Sequence, residues 1–107
     1  MIGWKQALTL GRQNIVIVEL EIPDDAVVLE VKNIKTGKSY LTTDYAITKS
    51  IQSPDGKHSV DMAVSLKDGH TYYEVGEMTF MNFDSSIGRV AGIYFFLTRQ
   101  EAVDYVY

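Results

Sequence analysis

The stretch Ile15–Pro23, IVIVELEIP, limits the fold of this chain more than any other segment. Val16, Val18, Leu20 and Ile22 recur at period two, with Glu19 and Glu21 between them. Alternate side chains of an extended backbone point to opposite faces, so this spacing predicts a strand with one apolar and one polar side. Pro23 ends it, because proline has no N–H to give to a neighbouring strand. The same rhythm returns between turn residues. Residues 27–34 and 39–43 read as a hairpin around KTGK, with Gly37 where the turn needs a positive φ. Tyr45–Ile51 alternates through Tyr45, Ile47, Lys49 and Ile51. Pro54-Asp55-Gly56 marks a turn, and Val60, Met62, Val64 and Leu66 share one face of the next run. Thr71–Phe80 reads as one strand carrying Gly76, and VAGIYFFL, residues 90–97, as the last strand.

Helical signals are few. Thr98 and Glu101 stand at N-cap and N3 spacing after the last strand, and Ala102, Tyr105 and Val106 then share one helical face. Residues 4–10, with Trp4, Ala7 and Leu8 inward, form a candidate N-terminal helix. The expected fold class is therefore α+β. It is a mostly antiparallel β-sheet of about six strands, with a short C-terminal helix and a short N-terminal one, in a single domain over residues 1–107. There is no βαβ rhythm, which argues against a parallel doubly wound sheet.

The 107 residues are 46% hydrophobic and 22% charged, enough apolar content for one core. Cysteine is absent, which removes disulfides, thiolate nucleophiles and thiolate metal sites. No apolar run approaches the ~20 residues that span a bilayer, and MIGWKQALTLGRQ lacks the apolar core of a signal peptide. A cytoplasmic location away from membranes is expected. The net charge is −4, and the ten Lys and Arg residues are scattered, with only Lys32, Lys35 and Lys38 close together. Nucleic-acid binding draws most of its affinity from a basic stripe, so no nucleic-acid partner is expected.

The residues of catalysis are present only as letters. His58 and His70 sit in separate turns, and two histidines without cysteines fall short of the several converging ligands a metal centre needs. Ser85, Ser86, His70 and Asp84 lack the glycine-framed turn of a nucleophilic serine, and FDSS reads as a turn capped by Asp84. No phosphate-cradling glycine loop occurs. The reading is a non-catalytic chain with no cofactor and no metal. The aromatic residues carry more information. In the last strand Ile93, Phe95 and Leu97 alternate with Tyr94 and Phe96, so both faces are apolar. Such a strand is covered on both sides, or offers one side to a partner.

YYEVGEMTFMNFDSSIGRVAGIYFFLTRQEAVDY, Tyr72–Tyr105, resembles a domain of unknown function encoded by bacteriophages and prophages, sometimes beside pentapeptide repeats. The resemblance runs through Tyr73, Val75, Gly76, Phe83, Asp84, Gly92, Ile93, Phe95, Phe96, Thr98, Arg99, Glu101, Ala102 and Tyr105. GWK at Gly3–Lys5 and VELEIPDDA at Val18–Ala26 extend it to the N-terminus. A histidine usual in that family is Tyr94 here, and a cysteine often found before the glycine is missing. The resemblance implies a phage or prophage setting and no activity. In that setting the expectation is a small accessory protein of the bacterial cytoplasm that acts by binding a protein, with inhibition of a host defence protein as one such role. The alternative is a structural or assembly protein of the virion. A homo-oligomer stays open. The expected binding surface is Tyr73, Phe83, Asp84, Tyr94, Phe96 and Tyr105. GIYFFLTRQEAVDY is also similar to the strand-to-helix segment that lines the nicotinamide pocket of ADP-ribosyltransferases, which implies a nucleotide-binding alternative. Those enzymes need a histidine or arginine on an earlier strand. Arg12, ahead of the first strong strand, has no supporting pattern around it.

Overall fold

The computed structural model describes residues 1–32, 37, 39–66, 71–81 and 92–105. Among these, nine strands precede one short helix. The strands are β1 (Ile2–Leu8), β2 (Ile15–Glu21), β3 (Val28–Lys32), β4 (Ser39–Thr43), β5 (Tyr45–Gln52), β6 (Met62–Ser65), β7 (Tyr72–Glu74), β8 (Met78–Phe80) and β9 (Ile93–Phe95). The helix α1 is Arg99–Asp104. Every pairing is antiparallel. Six strands form one sheet in the order β7-β6-β1-β2-β5-β8, and three form a second in the order β3-β4-β9. The α+β class, the dominant antiparallel sheet and the C-terminal helix are as the pattern predicts.

The six-stranded sheet is curled. Laid flat, its edge strands would stand about 24 Å apart. Its two edges, β7 and β8, are joined by Val75–Glu77 alone, and four Cα steps reach at most about 15 Å. The Thr79 hydroxyl closes the seam by donating to the Tyr72 carbonyl at 2.9 Å. The apolar side of IVIVELEIP faces the inside of this near-barrel, where Val16, Val18, Leu20 and Ile22 meet Ala46, Ile51, Ala63 and Tyr73. The second sheet covers one mouth, sending Ile93 and Phe95 into the same core. The two sheets are joined by backbone. Trp4 donates to the Phe96 carbonyl at 2.8 Å, and Phe96 donates back to Trp4 at 2.7 Å.

Three segments here depart from the sequence pattern. Residues 4–10 form no helix, because Ile2–Leu8 pair residue for residue with Ile15–Glu21. The inward side of β1 is Gly3, Lys5 and Ala7, opposite Leu20, Val18 and Val16. Its small residues make the apolar face hard to see. In β5 the inward residues are Ala46, Thr48 and Ile51 rather than the Tyr45–Ile51 alternation. The register shifts between Glu19 and Leu20, so Lys49 is an extra residue and the phase slips by one. In β6 it is Ala63 that joins the core cluster, since the Tyr73 ring opposite it fills the space. Val60 is exposed.

Thr71–Phe80 is two strands rather than one. Gly76 turns between them with φ +87°, and no atom lies within 4 Å of where its Cβ would be. Its constraint is conformational, not spatial. Gly76→Ala is expected to cost about 1–2 kcal/mol, the penalty of a left-handed conformation for an L side chain. An unchanged urea midpoint would show that the turn tolerates a Cβ. Gly92, at φ +130°, makes the same demand where the chain enters β9.

At the start of β5 the Tyr45 hydroxyl donates to the Asp25 carboxylate. That bond comes first among the causes that push the phenol from 10.0 up to about 12, followed by partial burial and the charges of Asp25 and Asp44. The protonated phenol is the form the fold favours. Its contribution is therefore complete below pH 10 and is lost as pH rises through about 12. In a tyrosinate absorbance titration, the transition missing from Tyr45→Phe is expected near the upper value. A missing transition at the ordinary value would contradict the Asp25 contact.

Candidate functional site

The last strand places its two faces as the alternation predicts. Leu41, Thr42 and Thr43 of β4 stand opposite Phe95, Tyr94 and Ile93. Directly paired residues share a face, so Ile93 and Phe95 point inward with Leu41 and Thr43. Both are buried, at 0% and 2% exposure. Tyr94 and Thr42 point outward, and Tyr40 and Phe96, two positions along each strand, point the same way. Leu97, one residue beyond Phe96, is exposed at 58%, because the strand has ended.

These outward side chains form a continuous aromatic face. Tyr40 meets Tyr94 edge to face, with centroids 6.3 Å apart and ring planes at 81°. It meets Phe96 at 6.3 Å and 61°. Tyr105 closes the row, its ring 5.6 Å from Phe96. All four rings are half-buried. Such offset geometries are favoured by the ring quadrupoles and fix the rings relative to one another. Burial pushes the Tyr94 phenol above its ordinary value, so that ring stays neutral near physiological pH. Under it lies the Thr42 hydroxyl, fully buried and without a hydrogen-bond partner. A buried hydroxyl left unpaired costs about 1–3 kcal/mol.

The tail is fixed at both ends. Thr98 caps α1, its hydroxyl accepting from the Glu101 N–H at 3.2 Å and donating to the Glu101 carboxylate at 2.9 Å. The Arg99 guanidinium donates to the Ser53 and Pro54 carbonyls, both at 3.1 Å. Ala102 is buried. At the far end the Gln6 side-chain amide donates to the Ala102 carbonyl at 3.2 Å and to the Tyr105 carbonyl at 3.1 Å. Tyr105 leaves the helix in an extended conformation, with φ −63° and ψ 129°, which carries its ring over to Phe96.

Of the residues expected to form a binding surface, Tyr94, Phe96 and Tyr105 come together. Tyr73 does not join them. It is fully buried inside the near-barrel. Its hydroxyl accepts from the Lys5 ammonium at 2.8 Å, and that nitrogen lies 4.8 Å from the ring centroid. Phe83 and Asp84 lie outside the described residues, as do Ser85, Ser86, His70 and Val106. Tyr40 is the member that sequence reasoning misses. Its place depends on the β4–β9 register, which no local pattern announces.

The arrangement offers flat aromatic rings. Among the described residues no group of three or more His, Cys, Asp or Glu side chains is placed to hold a metal ion. His58 is exposed beside the Ser53–His58 turn, and Arg12 is exposed in the β1–β2 connection with φ 58°. Among the described residues no helix is long and apolar enough to cross a membrane. A protein-family model described as a family of unknown function (DUF5758) matches residues 1–102. That span takes in both sheets and the first turn of α1. No curated protein and no solved structure matches the chain.

Proposed function

We propose that this chain, which belongs to the DUF5758 family of unknown function, works by binding another protein and performs no catalysis. The observation that carries this reading is the aromatic face of Tyr40, Tyr94, Phe96 and Tyr105, half-exposed on the outer side of the second sheet. Tyrosine and phenylalanine held rigid by their neighbours lose little entropy on docking, and such rings are favoured anchors at interfaces. The occupant is an apolar or aromatic patch on a protein of the bacterial cytoplasm. The likeness of Tyr72–Tyr105 to phage and prophage proteins supports an accessory role, in which a host defence protein is blocked by occupation of its surface.

The test is retention of host proteins by the immobilised chain, compared between wild type and Tyr40→Ser/Tyr94→Ser. A specific protein retained by the wild type is expected to bind the double variant at least about tenfold more weakly, a loss of about 1.4 kcal/mol. Val60→Ser, on an exposed residue elsewhere, is expected to retain it fully. Equal retention by all three chains would sink the assignment.

A further inference from the structure

A second apolar strip lies on the outer side of the near-barrel, on β5 and β8 of the six-stranded sheet, whereas the aromatic face belongs to β4 and β9 of the other sheet. Tyr45 stands opposite Phe80, and Ile47 opposite Met78. The Tyr45 and Phe80 rings are stacked at 6.1 Å and 21°. Phe80 is 60% exposed, Met78 59% and Tyr72, across the seam, 53%. Side chains this apolar and this exposed, gathered on adjoining strands, mark an interaction site.

The rim of the strip is acidic at both ends. At one end Asp25 accepts from the Tyr45 hydroxyl, and the Asp44 charge acts on the same phenol. At the other end Glu74 and Glu77 flank the exposed turn at Val75 and Gly76. One exposed cation lies beside the strip among the described residues, Lys49 in the β5 bulge.

We propose that this strip docks a basic amphipathic segment of another protein. Apolar side chains of that segment would cover Met78, Phe80 and Tyr72. Its lysines and arginines would meet the carboxylates at the two ends and lay their stems and charges on the tyrosine and phenylalanine rings. Charge selects this occupant over a second copy of the chain. A two-fold contact sets a surface against itself, and here it would bring carboxylates onto carboxylates. The same acidic rim repels nucleic-acid and lipid phosphates.

The probe is a fluorescent synthetic helix of alternating lysine and leucine faces, with a glutamate–leucine helix of the same pattern as its control. Binding to the intact chain is read by anisotropy at low and high salt, and oligomeric state by sedimentation. The basic helix is expected to bind and to weaken with salt, the acidic helix not to bind, and the free chain to sediment as a monomer. Met78→Ser/Phe80→Ser leaves every charge in place and is expected to weaken the basic helix at least about tenfold. Leu10→Ser, an exposed residue elsewhere, and Tyr94→Ser are expected to bind as the wild type does. The Tyr94 arm separates this strip from the aromatic face. Should the double serine variant unfold, Glu74→Gln/Glu77→Gln is read instead, with weaker binding and a shallower salt dependence expected. Equal affinity for wild type and either strip variant overturns the proposal. So does binding of the acidic helix, or a wild-type dimer that the strip variant abolishes.

Discussion

Removing residues 98–107 is expected to leave an insoluble or molten chain. The six residues of α1 form a helix far too short to be stable alone. It exists because Ala102 is buried against the barrel, Arg99 holds the Ser53–Pro54 backbone, and Gln6 holds the carbonyls of Ala102 and Tyr105. The dependence runs both ways. Gln6 pairs with Ile17 across β1 and β2, so both lie on the outer face of the barrel. Yet they are only 6% and 1% exposed, and α1 packs on these two strands. Truncation would open Ile17 to water, worth roughly 1.5–3 kcal/mol. It would also strip Tyr105 from Phe96. A small domain is stable by about 5–15 kcal/mol, so losses on this scale are a large fraction of the whole. Near-ultraviolet circular dichroism is expected to lose its aromatic signal while dye-accessible apolar surface rises. Thr98→Ala, which removes the cap alone, is expected to cost about 1 kcal/mol and keep the fold. A truncated chain that still unfolds cooperatively at the wild-type midpoint would make the tail dispensable to the fold.

Gly3→Val is the second large effect expected. Gly3 is buried on the inward side of β1, where it stands opposite Leu20. A Cβ there would lie 2.5 Å from Phe95 Cδ2 and 2.8 Å from Ile22 Cδ1. Both distances are well inside van der Waals contact. Neither neighbour has room to yield, since Phe95 is 2% exposed and Ile22 1%. Interiors are packed like crystals, and added methyl groups force rotamers or backbone to shift, typically at about 1–3 kcal/mol. Valine adds three carbons at the point where the second sheet seals the barrel, so the upper end of that range is expected. The denaturant midpoint reads it directly. Phe95→Leu, combined with Gly3→Val, is expected to recover part of the loss, because the two positions share one volume. A Gly3→Val chain with the wild-type midpoint would mean that Phe95 can move aside.

What the sequence makes legible follows from how local each signal is. IVIVELEIP carries its strand in its own alternation, and the Thr98–Glu101 cap is a four-residue event. Both appear where expected. Other features depend on partners distant in sequence. Trp4, Ala7 and Leu8 have helical spacing, yet seven consecutive pairings with β2 override that preference. Lys49 gives no local sign of a bulge, which exists only because β5 is in register with β2 on both sides of it. Tyr73 sits in a stretch of tyrosine, valine and glycine that reads as surface, and becomes core because Ala63 opposite it leaves room for a ring. The site divides in the same way. Tyr94, Phe96 and Tyr105 lie within one short segment and were readable together. Tyr40 joins them only through the pairing of β4 with β9.

The terminal segment belongs to the core through Ile93, Phe95 and Ala102, while its outer rings stay half-exposed. The two amides that join the sheets test this most directly. The Trp4 and Phe96 N–H groups bond to each other's carbonyls, so they open only if the last strand leaves the barrel. Native-state hydrogen exchange is expected to show both exchanging only on global unfolding, with the same free energy as the amides of Val18 and Leu20 in the central strand. Exchange of Trp4 and Phe96 by a separate opening, orders of magnitude faster than Val18, would show a tail that detaches from an intact barrel and would contradict the account.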